Sequence, residues 1–218
     1  MVEVLESKPV AEEPGVARTM SPDCDYKPSS GEEYAKASGH HHAYLLPVVK
    51  RMIASLDPAD RRVFDCGCGN GSFAQKLVEE GWDVTGVDPS ESGVRAARDH
   101  FPEVRIESGS TDEDLAARFG TFPLVISLEV VEHVYAPRAY MARISDLLEP
   151  GGSVILSTPF HGYLKNLAIA ITNNWDHHHT VLWDHGHIKF WSIATLTELL
   201  EESGFKVGEI ARVGRVPV

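Results

Sequence analysis

The sequence is poor in cysteine, in basic runs and in long apolar runs, and each scarcity excludes a class of protein. Only three of the 218 residues are cysteines, Cys24, Cys66 and Cys68, which argues against a disulfide framework and predicts a reducing, cytoplasmic location. The N-terminus has no basic segment followed by an apolar one, and no run reaches the roughly 18 apolar residues of a membrane-spanning helix. We therefore expect a soluble chain without a signal peptide.

Positive charge is scarce as well. The chain has 20 Lys and Arg residues against 32 Asp and Glu residues, a formal net charge of -12. Such a surface repels phosphate backbones and anionic membranes, and the sequence holds no local basic patch that would offset the repulsion. The charge balance disfavours a nucleic acid as partner and favours a small molecule.

The composition predicts one globular domain that follows a tail. Residues 1–32 mix Pro, Glu, Ser and Gly with few bulky apolar side chains, which is typical of a disordered segment. Residues 33–218 then form the single domain, and its first helix is predicted over 44–53. Apolar residues repeat there with helical spacing, and Pro47 falls in the first turn, where proline is tolerated.

Short apolar runs alternate with helical patterns through the rest of the chain. The predicted strands are 63–66, 84–87, 104–106, 123–128, 153–157 and 205–211. The predicted helices are 72–80, 91–100, 112–119, 138–148 and 193–203. Strict alternation indicates an α/β fold, a Rossmann-like doubly wound and mostly parallel sheet with helices on both faces. Ligands of such sheets bind beyond the carboxyl ends of the strands, so functional residues are expected there.

The first predicted strand ends in a glycine-rich turn, FDCGCGNGSF, in which Asp65 is followed by glycines at every second position from 67 to 71. Glycine lets a ligand approach the backbone closely, and the helix that follows offers free N–H groups. Asp88 ends the second strand 23 residues after Asp65, at about the distance at which an acid reaches ribose hydroxyls. The dinucleotide fingerprint is not matched, because the last two glycines are only two positions apart.

This turn resembles motif I of the class I S-adenosylmethionine-dependent methyltransferases, and Asp88 resembles the acid of their motif II. The resemblance covers roughly residues 44–212. It implies that Asp65 and Gly67 lie along the methionine part of S-adenosylmethionine, that Asp88 binds both ribose hydroxyls and that Pro89 borders the adenine. The complete set of cofactor-binding residues expected from it is Asp65, Gly67, Cys68, Gly69, Gly71, Asp88, Pro89, Ser110 and Glu129.

A second group of polar residues follows the fourth strand in the sequence SLEVVEHV. Glu129, Glu132 and His133 have the spacing i, i+3, i+4, which places three side chains on one face if a helical turn begins at Glu129. Carboxylate and imidazole ligands of this kind suit Mg²⁺ or Mn²⁺. The element resembles the E-x-x-E-H of small-RNA 3′-terminal 2′-O-methyltransferases and of ubiquinone-biosynthesis O-methyltransferases. The later stretch HIKF is similar to theirs and makes His187 the fourth expected ligand.

Two alternatives remain open at this group. An E-H element after the fourth strand also occurs in methyltransferases of this class that need no metal, and there His133 packs near the cofactor or acts as a base. Glu132 would then place its negative charge at the N-terminus of a helix.

Cys66 and Cys68 have no second cysteine pair, so we expect them to fill apolar space rather than to bind zinc.

The segment at about 159–191 is too long for a plain connection and is rich in Tyr, Trp and His, which is typical of a lid or binding loop. Its apolar helix, 163–172, fits three roles: covering an apolar substrate, touching a membrane surface, or packing on the core. After 205–211 only seven residues remain, so we expect either that the chain is truncated or that the final antiparallel strand of this class is missing, very short or supplied otherwise. A bare sheet edge there predicts a homodimer.

These patterns together predict an S-adenosylmethionine-dependent methyltransferase. The favoured acceptor is a hydroxyl of a small catechol-like or diol-containing molecule, with Glu132, His133 and His187 as catalytic residues and a divalent metal as helper. The alternatives are methylation of an RNA 3′-terminal 2′-hydroxyl, a metal-independent N- or C-methyltransferase, and a noncatalytic cofactor-binding module.

Overall fold

A computed structural model describes residues 2–6, 31–160, 162–179 and 186–213, with side chains from residue 44 onward. Within these ranges seven strands form one sheet: β1 (Val2–Glu6), β2 (Arg62–Cys66), β3 (Asp83–Asp88), β4 (Arg105–Ser108), β5 (Phe122–Leu128), β6 (Leu148–Ser157) and β7 (Lys206–Ala211). The helices are α1 (Gly31–Leu56), α2 (Ser72–Val78), α3 (Glu91–His100), α4 (Leu115–Phe119), α5 (Pro137–Leu147), α6 (Tyr163–Ile171), α7 (Trp175–His179) and α8 (Ile193–Glu202). The predicted α/β class is confirmed.

The strand order is β4-β3-β2-β5-β6-β1-β7, and neighbouring strands from β4 to β6 are parallel. The chain builds outward from β2 to β4 and then returns to the other side of β2 with β5. Strand order therefore reverses between β2 and β5, and a crevice opens at their carboxyl ends. Asp65 lies near the carboxyl end of β2, and Glu129 directly follows β5, so the two residues lie at the ends of the strands that flank the crevice.

Both faces of the sheet are buried, which explains why the central strands are almost continuously apolar. One face packs against α4, α5 and α8, with Phe64, Tyr140 and Leu196 among its buried side chains. The other face packs against α1, α2 and α3, with Met52 and Leu77 in its core. The two layers of helices hold the strand ends in fixed positions, and so they fix the crevice.

The N-terminus differs from its prediction, because Val2–Glu6 is a strand rather than part of a disordered tail. It lies between β6 and β7 and runs antiparallel to both, with Val4 opposite Ile155. The sequence VEVLE mixes apolar and acidic residues, but five residues among many polar ones give a weak signal. Pairing with two neighbours provides the hydrogen bonds that make so short a strand stable.

The same strand answers the question raised by the C-terminus. The sequence predicts that the antiparallel strand is missing, very short or supplied otherwise, and in the described residues it is supplied by the N-terminus. β7 runs in the same direction as β6, and β1 fills the place between them. Strand β7 therefore joins the sheet by pairing with β1.

Helix α1 is longer than predicted, because it begins at Gly31 rather than near residue 44. Pro47 therefore lies in the interior of the helix rather than in its first turn. At an interior position a proline removes one backbone hydrogen bond. Apolar periodicity is missing before residue 44, although Glu, Ala and Lys there favour a helix by propensity alone. Among the described residues, none of the helices has both the length and the apolar character that crossing a membrane requires.

Candidate active site

The glycine-rich turn lies between β2 and α2 and has the left-handed backbone that its glycines allow. Gly67, Gly69 and Gly71 have φ angles of 84°, 54° and 72°. At Gly67 the space is limiting too, since a Cβ built there would overlap Cγ2 of Val130, the residue that follows Glu129. The turn therefore brings bare backbone to the crevice between β2 and β5.

Asp65, near the end of β2, is a buried acid of the crevice. Its side chain is 2% exposed, and its Oδ2 has no hydrogen-bond partner among the described residues. Burial, reinforced by the negative charge of Asp88, raises the pKa of Asp65 to about 7. A buried carboxyl without a partner is costly, and a cationic or hydrogen-bonding ligand in the crevice would remove that cost.

Asp88, at the end of β3, lies across the turn from Asp65. Its Oδ2 accepts a hydrogen bond from the backbone N–H of Gly69 (2.9 Å) and its Oδ1 one from Ser90 (2.9 Å). Burial raises the pKa of Asp88, while these two hydrogen bonds act in the opposite direction. Each carboxylate oxygen keeps a lone pair, so two hydroxyl donors can still bind.

The remaining predicted cofactor residues occupy the rim of the same crevice. Pro89 is exposed beside Asp88, and Ser110 is half-buried at the end of β4, where its Oγ accepts from the N–H of Asp112 (3.2 Å). Ser110 thus stabilises its own turn, and its role at the adenine stays a prediction.

The cysteines of the turn behave as small apolar residues. Cys66 and Cys68 are both buried and free, and burial raises the pKa of each thiol. The Cys68 side chain packs against Gly86 of β3, where an added Cβ would lie 2.9 Å from its sulfur. Its N–H donates to the carbonyl of Val87 (3.0 Å), so Cys68 supports the turn by packing and by its backbone.

Beyond β5, three side chains converge. The ligand atoms of Glu132, His133 and His187 all lie within 4.8 Å of one another. Oε1 of Glu132 is 3.9 Å from Nε2 of His133 and 3.9 Å from Nε2 of His187. These separations are too long for hydrogen bonds but match those between ligands of one ion, each about 2.0–2.2 Å from the metal.

We call Glu132, His133 and His187 the three-residue cluster, and Glu132 is its buried member. It belongs to a single 3₁₀ turn, Val131–His133, and is 1% exposed. Oε2 accepts a hydrogen bond from Oγ1 of Thr158 (3.0 Å), whereas Oε1 has no hydrogen-bond partner in the described part of the chain. Burial, with a further contribution from the charge of Glu129, raises the pKa of Glu132. An unpaired buried oxygen that faces two imidazoles fits a cation.

The two histidines are brought together by the segment 186–189. The N–H groups of Ile188 and Lys189 both donate to the carbonyl of Glu132 (2.9 Å each), which fixes His187 beside His133. Nδ1 of His133 donates to the carbonyl of Gly186 (3.3 Å). Its Nε2 is thereby left as the acceptor that faces Glu132, an arrangement typical of metal-binding histidines.

Glu129 is not among the three residues whose ligand atoms converge, and its role as a fourth ligand stays a prediction. The helical turn predicted to begin at Glu129 does not form, because its φ is 58° and the 3₁₀ turn starts two residues later. Ser157 holds it instead: the N–H of Glu129 donates to the Ser157 carbonyl (3.1 Å), and Ser157 Oγ donates to Glu129 Oε1 (2.8 Å). Its predicted role at the cofactor stays a prediction.

The hydroxyls of Ser157 and Thr158 also contact this site, which the sequence did not predict. Each donates to one acid of the SLEVVEHV stretch. Their position at the carboxyl end of a predicted strand was a usable signal, since that is where ligand-binding residues of this fold occur.

Several large apolar side chains are exposed on α6 and next to His187 in the chain. Helix α6 exposes Tyr163, Leu164 and Ile171 by 78%, 59% and 75%, and Ile188 and Phe190 beside the cluster are about half exposed. Only Ile169 of α6 is buried in the core. Two short helices, α6 and α7, thus lie in the segment predicted as a lid, of which residues 161 and 180–185 are outside the described part.

The fold and the crevice together define an α/β domain with a ligand crevice at its strand-order reversal. The family described as methyltransferase domain matches residues 38–210, and the chain belongs to this family. The resemblance to class I S-adenosylmethionine-dependent methyltransferases seen in the sequence is thereby confirmed.

Similar proteins include two curated ubiquinone biosynthesis O-methyltransferases. The one from Caulobacter sp. (strain K31) is 37% identical over 113 residues, which are 50% of this chain and 44% of that protein. The one from Azorhizobium caulinodans is 34% identical over 166 residues, 69% of this chain and 60% of that protein. The chain therefore spans about half the length of the curated relatives it matches.

Solved structures give the same fold. A methyltransferase of Haloferax volcanii, in complex with the Trm112 methyltransferase activator, has a TM-score of 0.62 at 20% identity and covers 82% of this chain and 74% of its own. A TehB-like S-adenosylmethionine-dependent methyltransferase of Corynebacterium glutamicum has a TM-score of 0.55 at 22% identity, with coverages of 81% and 84%. At these identities the likeness shows the fold alone.

Proposed function

We propose that this methyltransferase methylates a hydroxyl oxygen of a small catechol-like or diol-containing molecule, with a divalent ion held by Glu132, His133 and His187. The observation that carries the proposal is the unpaired, buried Oε1 of Glu132 at 3.9 Å from two imidazole nitrogens. The names of the similar curated proteins support an oxygen acceptor.

The chain's own residues divide into two groups in this proposal. Asp65 and Gly67 lie along the methionine part of the donor, and Asp88 accepts both ribose hydroxyls with the lone pairs that its two backbone contacts leave. The three-residue cluster orients the acceptor oxygen. S-adenosylmethionine supplies the electrophilic methyl group, and a bound divalent ion supplies positive charge that lowers the pKa of a hydroxyl.

The donor set bears on the choice of metal. Because Glu129 is hydrogen-bonded to Ser157, the cluster offers two imidazole nitrogens with one carboxylate, whereas the predicted four-ligand set combined the same two imidazoles with two carboxylates. Mg²⁺ prefers oxygen ligands, whereas imidazole suits transition metals. Of the two ions expected from the sequence, Mn²⁺ therefore fits the described residues better than Mg²⁺.

A metal-independent methyltransferase is the second candidate. His133 is about 40% exposed on its side chain and keeps Nε2 as a proton acceptor, so it is placed to act as a base. The RNA 3′-terminal substrate is disfavoured by the net charge of -12. A small-molecule acceptor, a cytoplasmic location and a homodimer stay predictions.

Turnover against a panel of catechols and vicinal diols tests the proposal, with and without EDTA. We expect methyl transfer that chelation removes and Mn²⁺ restores. In Glu132→Gln the Mn²⁺-dependent rate should fall about 10- to 100-fold or more while S-adenosylhomocysteine still binds. Glu198→Gln, the same change on the exposed face of α8, is the matched control and should behave as wild type.

The outcomes separate the candidates. A rate that EDTA leaves unchanged would overturn the metal and keep the enzyme, with His133→Asn then expected to be inactive. Binding of S-adenosylhomocysteine without turnover on any acceptor would favour a noncatalytic module.

A further inference from the structure

The end of strand β6 places two hydroxyls side by side, and each contacts a different acid. Ser157 Oγ donates to Oε1 of Glu129 at 2.8 Å, and Thr158 Oγ1 donates to Oε2 of Glu132 at 3.0 Å. Both hydroxyl residues are fully buried. Successive side chains of an extended segment point to opposite sides, so the two hydroxyls draw the two acids apart.

We propose that Thr158 is a positioning residue that aims Glu132 at the two histidines. A carboxylate has two oxygens, and Thr158 occupies one of them. The other, Oε1, then faces Nε2 of His133 and of His187 at 3.9 Å each. The contact fixes the rotation of the carboxylate plane, which is the usual task of a residue behind a metal ligand.

The neighbouring contact explains why Glu132 rather than Glu129 belongs to the cluster. Glu129 is bound by both the backbone and the side chain of Ser157, and its left-handed φ of 58° turns it away from the 3₁₀ turn. The pair Ser157–Thr158 thus assigns one acid to each side: Glu129 to the crevice near the glycine-rich turn, and Glu132 to the cluster.

This inference rests on the proposed metal-assisted function, so its test measures metal binding on the protein itself. Free Mn²⁺ is titrated by electron paramagnetic resonance in wild type, Thr158→Val and Thr158→Ser. Valine keeps the shape of threonine and removes the donor, while serine keeps the donor. We expect Thr158→Val to bind Mn²⁺ about 10- to 100-fold more weakly and Thr158→Ser to restore most of the affinity.

Two controls show whether the effect is specific. Thr85→Val makes the same change at a buried position of β3 and should leave the Mn²⁺ affinity unchanged. Binding of S-adenosylhomocysteine reports folding, and should Thr158→Val fail to bind it, Thr158→Ala replaces it with the same expectation. A merely structural role would lower both affinities together.

The contrary results are distinct. Equal Mn²⁺ affinity in wild type and Thr158→Val, or a Thr158→Ser variant as weak as the valine variant, would overturn the role of Thr158 and leave the metal in place. A wild-type protein that binds no Mn²⁺ would overturn the metal-assisted function and the role of Thr158 with it.

Discussion

Asp65 shows how a single residue carries information about a ligand. It ends a buried strand, has an oxygen without a partner among the described residues, and faces a second acid, Asp88. In the unliganded protein its pKa of about 7 lies above the ordinary 3.8, so the folded state holds a proton that the unfolded state releases. The stability contributed by that proton is complete below pH 3.8 and is lost as pH rises through about 7.

The affinity for S-adenosylhomocysteine should therefore depend on pH. The ammonium group of this product favours an ionised carboxylate, so binding releases a proton while Asp65 is neutral. We expect the affinity for S-adenosylhomocysteine to rise between about pH 6 and about pH 8, by up to about tenfold per pH unit below the pKa of Asp65. Isothermal titration in buffers of different ionisation heat measures both the affinity and the proton release.

Asp65→Asn is the matched variant for this prediction. It keeps the size of the side chain and removes the titration, so its affinity should be weaker at high pH and nearly flat with pH. A wild-type profile that is equally flat would show that Asp65 does not contact the ammonium group.

Gly67 carries a second prediction at this scale, because it has both a left-handed backbone and a close neighbour. In Gly67→Ala the new Cβ meets Val130 and also adopts a φ of 84°. We expect a loss of about 1–3 kcal/mol in the free energy of unfolding, together with weaker binding of S-adenosylhomocysteine. Chemical denaturation measures the first and titration the second.

Gly151→Ala separates the two causes. Gly151 has a φ of 87° with no atom within 4 Å of a built Cβ among the described residues, so it reports backbone strain alone. The double variant Gly67→Ala/Val130→Ala removes the overlap and should recover part of the loss. A Gly67→Ala variant no less stable than Gly151→Ala would contradict the close approach.

Among the helices, boundaries were predictable where local capping is strong. Helix α3 has the predicted bounds of 91–100, because Ser90 caps its first turn by accepting from the N–H of Gly93 (3.1 Å). The helix predicted over 112–119 begins later, at Leu115, since Asp114 caps it instead (3.0 Å to the N–H of Ala117). Three acids in a row, Asp112, Glu113 and Asp114, gave the sequence no means of choosing the cap.

Helix α6 is an element whose packing the sequence left open. Its apolar residues Leu164 and Ile171 are exposed, whereas Ile169 is 8% exposed in the core. We expect Leu164→Ser/Ile171→Ser to change the free energy of unfolding by no more than about 0.5 kcal/mol per site. If α6 covers the acceptor, the same variant should raise KM for apolar acceptors and leave the affinity for S-adenosylhomocysteine unchanged.

Ile169→Ser is the control within the same helix. It places a hydroxyl in a buried site and should lower stability by about 1–3 kcal/mol. Unchanged KM values in the double variant, across acceptors of different apolar size, would remove α6 from the substrate side.

The whole sheet depends on its N-terminal strand. β7 pairs with β1 in the described structure, and β1 also pairs with β6, so removing β1 separates β7 from the sheet. We expect deletion of residues 1–6 to lower the melting temperature and to expose the backbone amides of β7 and of one side of β6. Hydrogen exchange measured by mass spectrometry locates the effect.

Val4→Pro is the companion variant, because proline removes a hydrogen bond from a strand that is paired on both sides. Protection of β7 equal to wild type in both variants would contradict the pairing. Light scattering of the wild type and the deletion also tests the predicted homodimer, since the deletion bares two more strand edges.

The sequence by itself determined what is encoded within a few residues. Strand and helix alternation follows from local apolar periodicity, and the glycine-rich turn and Asp88 follow from their places at strand ends. These features were enough for the α/β class and for the methyltransferase family, while the cofactor-binding residues stay predictions.

Only the tertiary structure decided which distant groups meet. It placed Val2–Glu6 inside the sheet, set Thr158 behind Glu132, and excluded Glu129 from the three-residue cluster. The physical reason is that such contacts depend on strand order and on hydrogen bonds between segments far apart in the chain. Neither the strand order nor these hydrogen bonds produce a periodic pattern in the sequence.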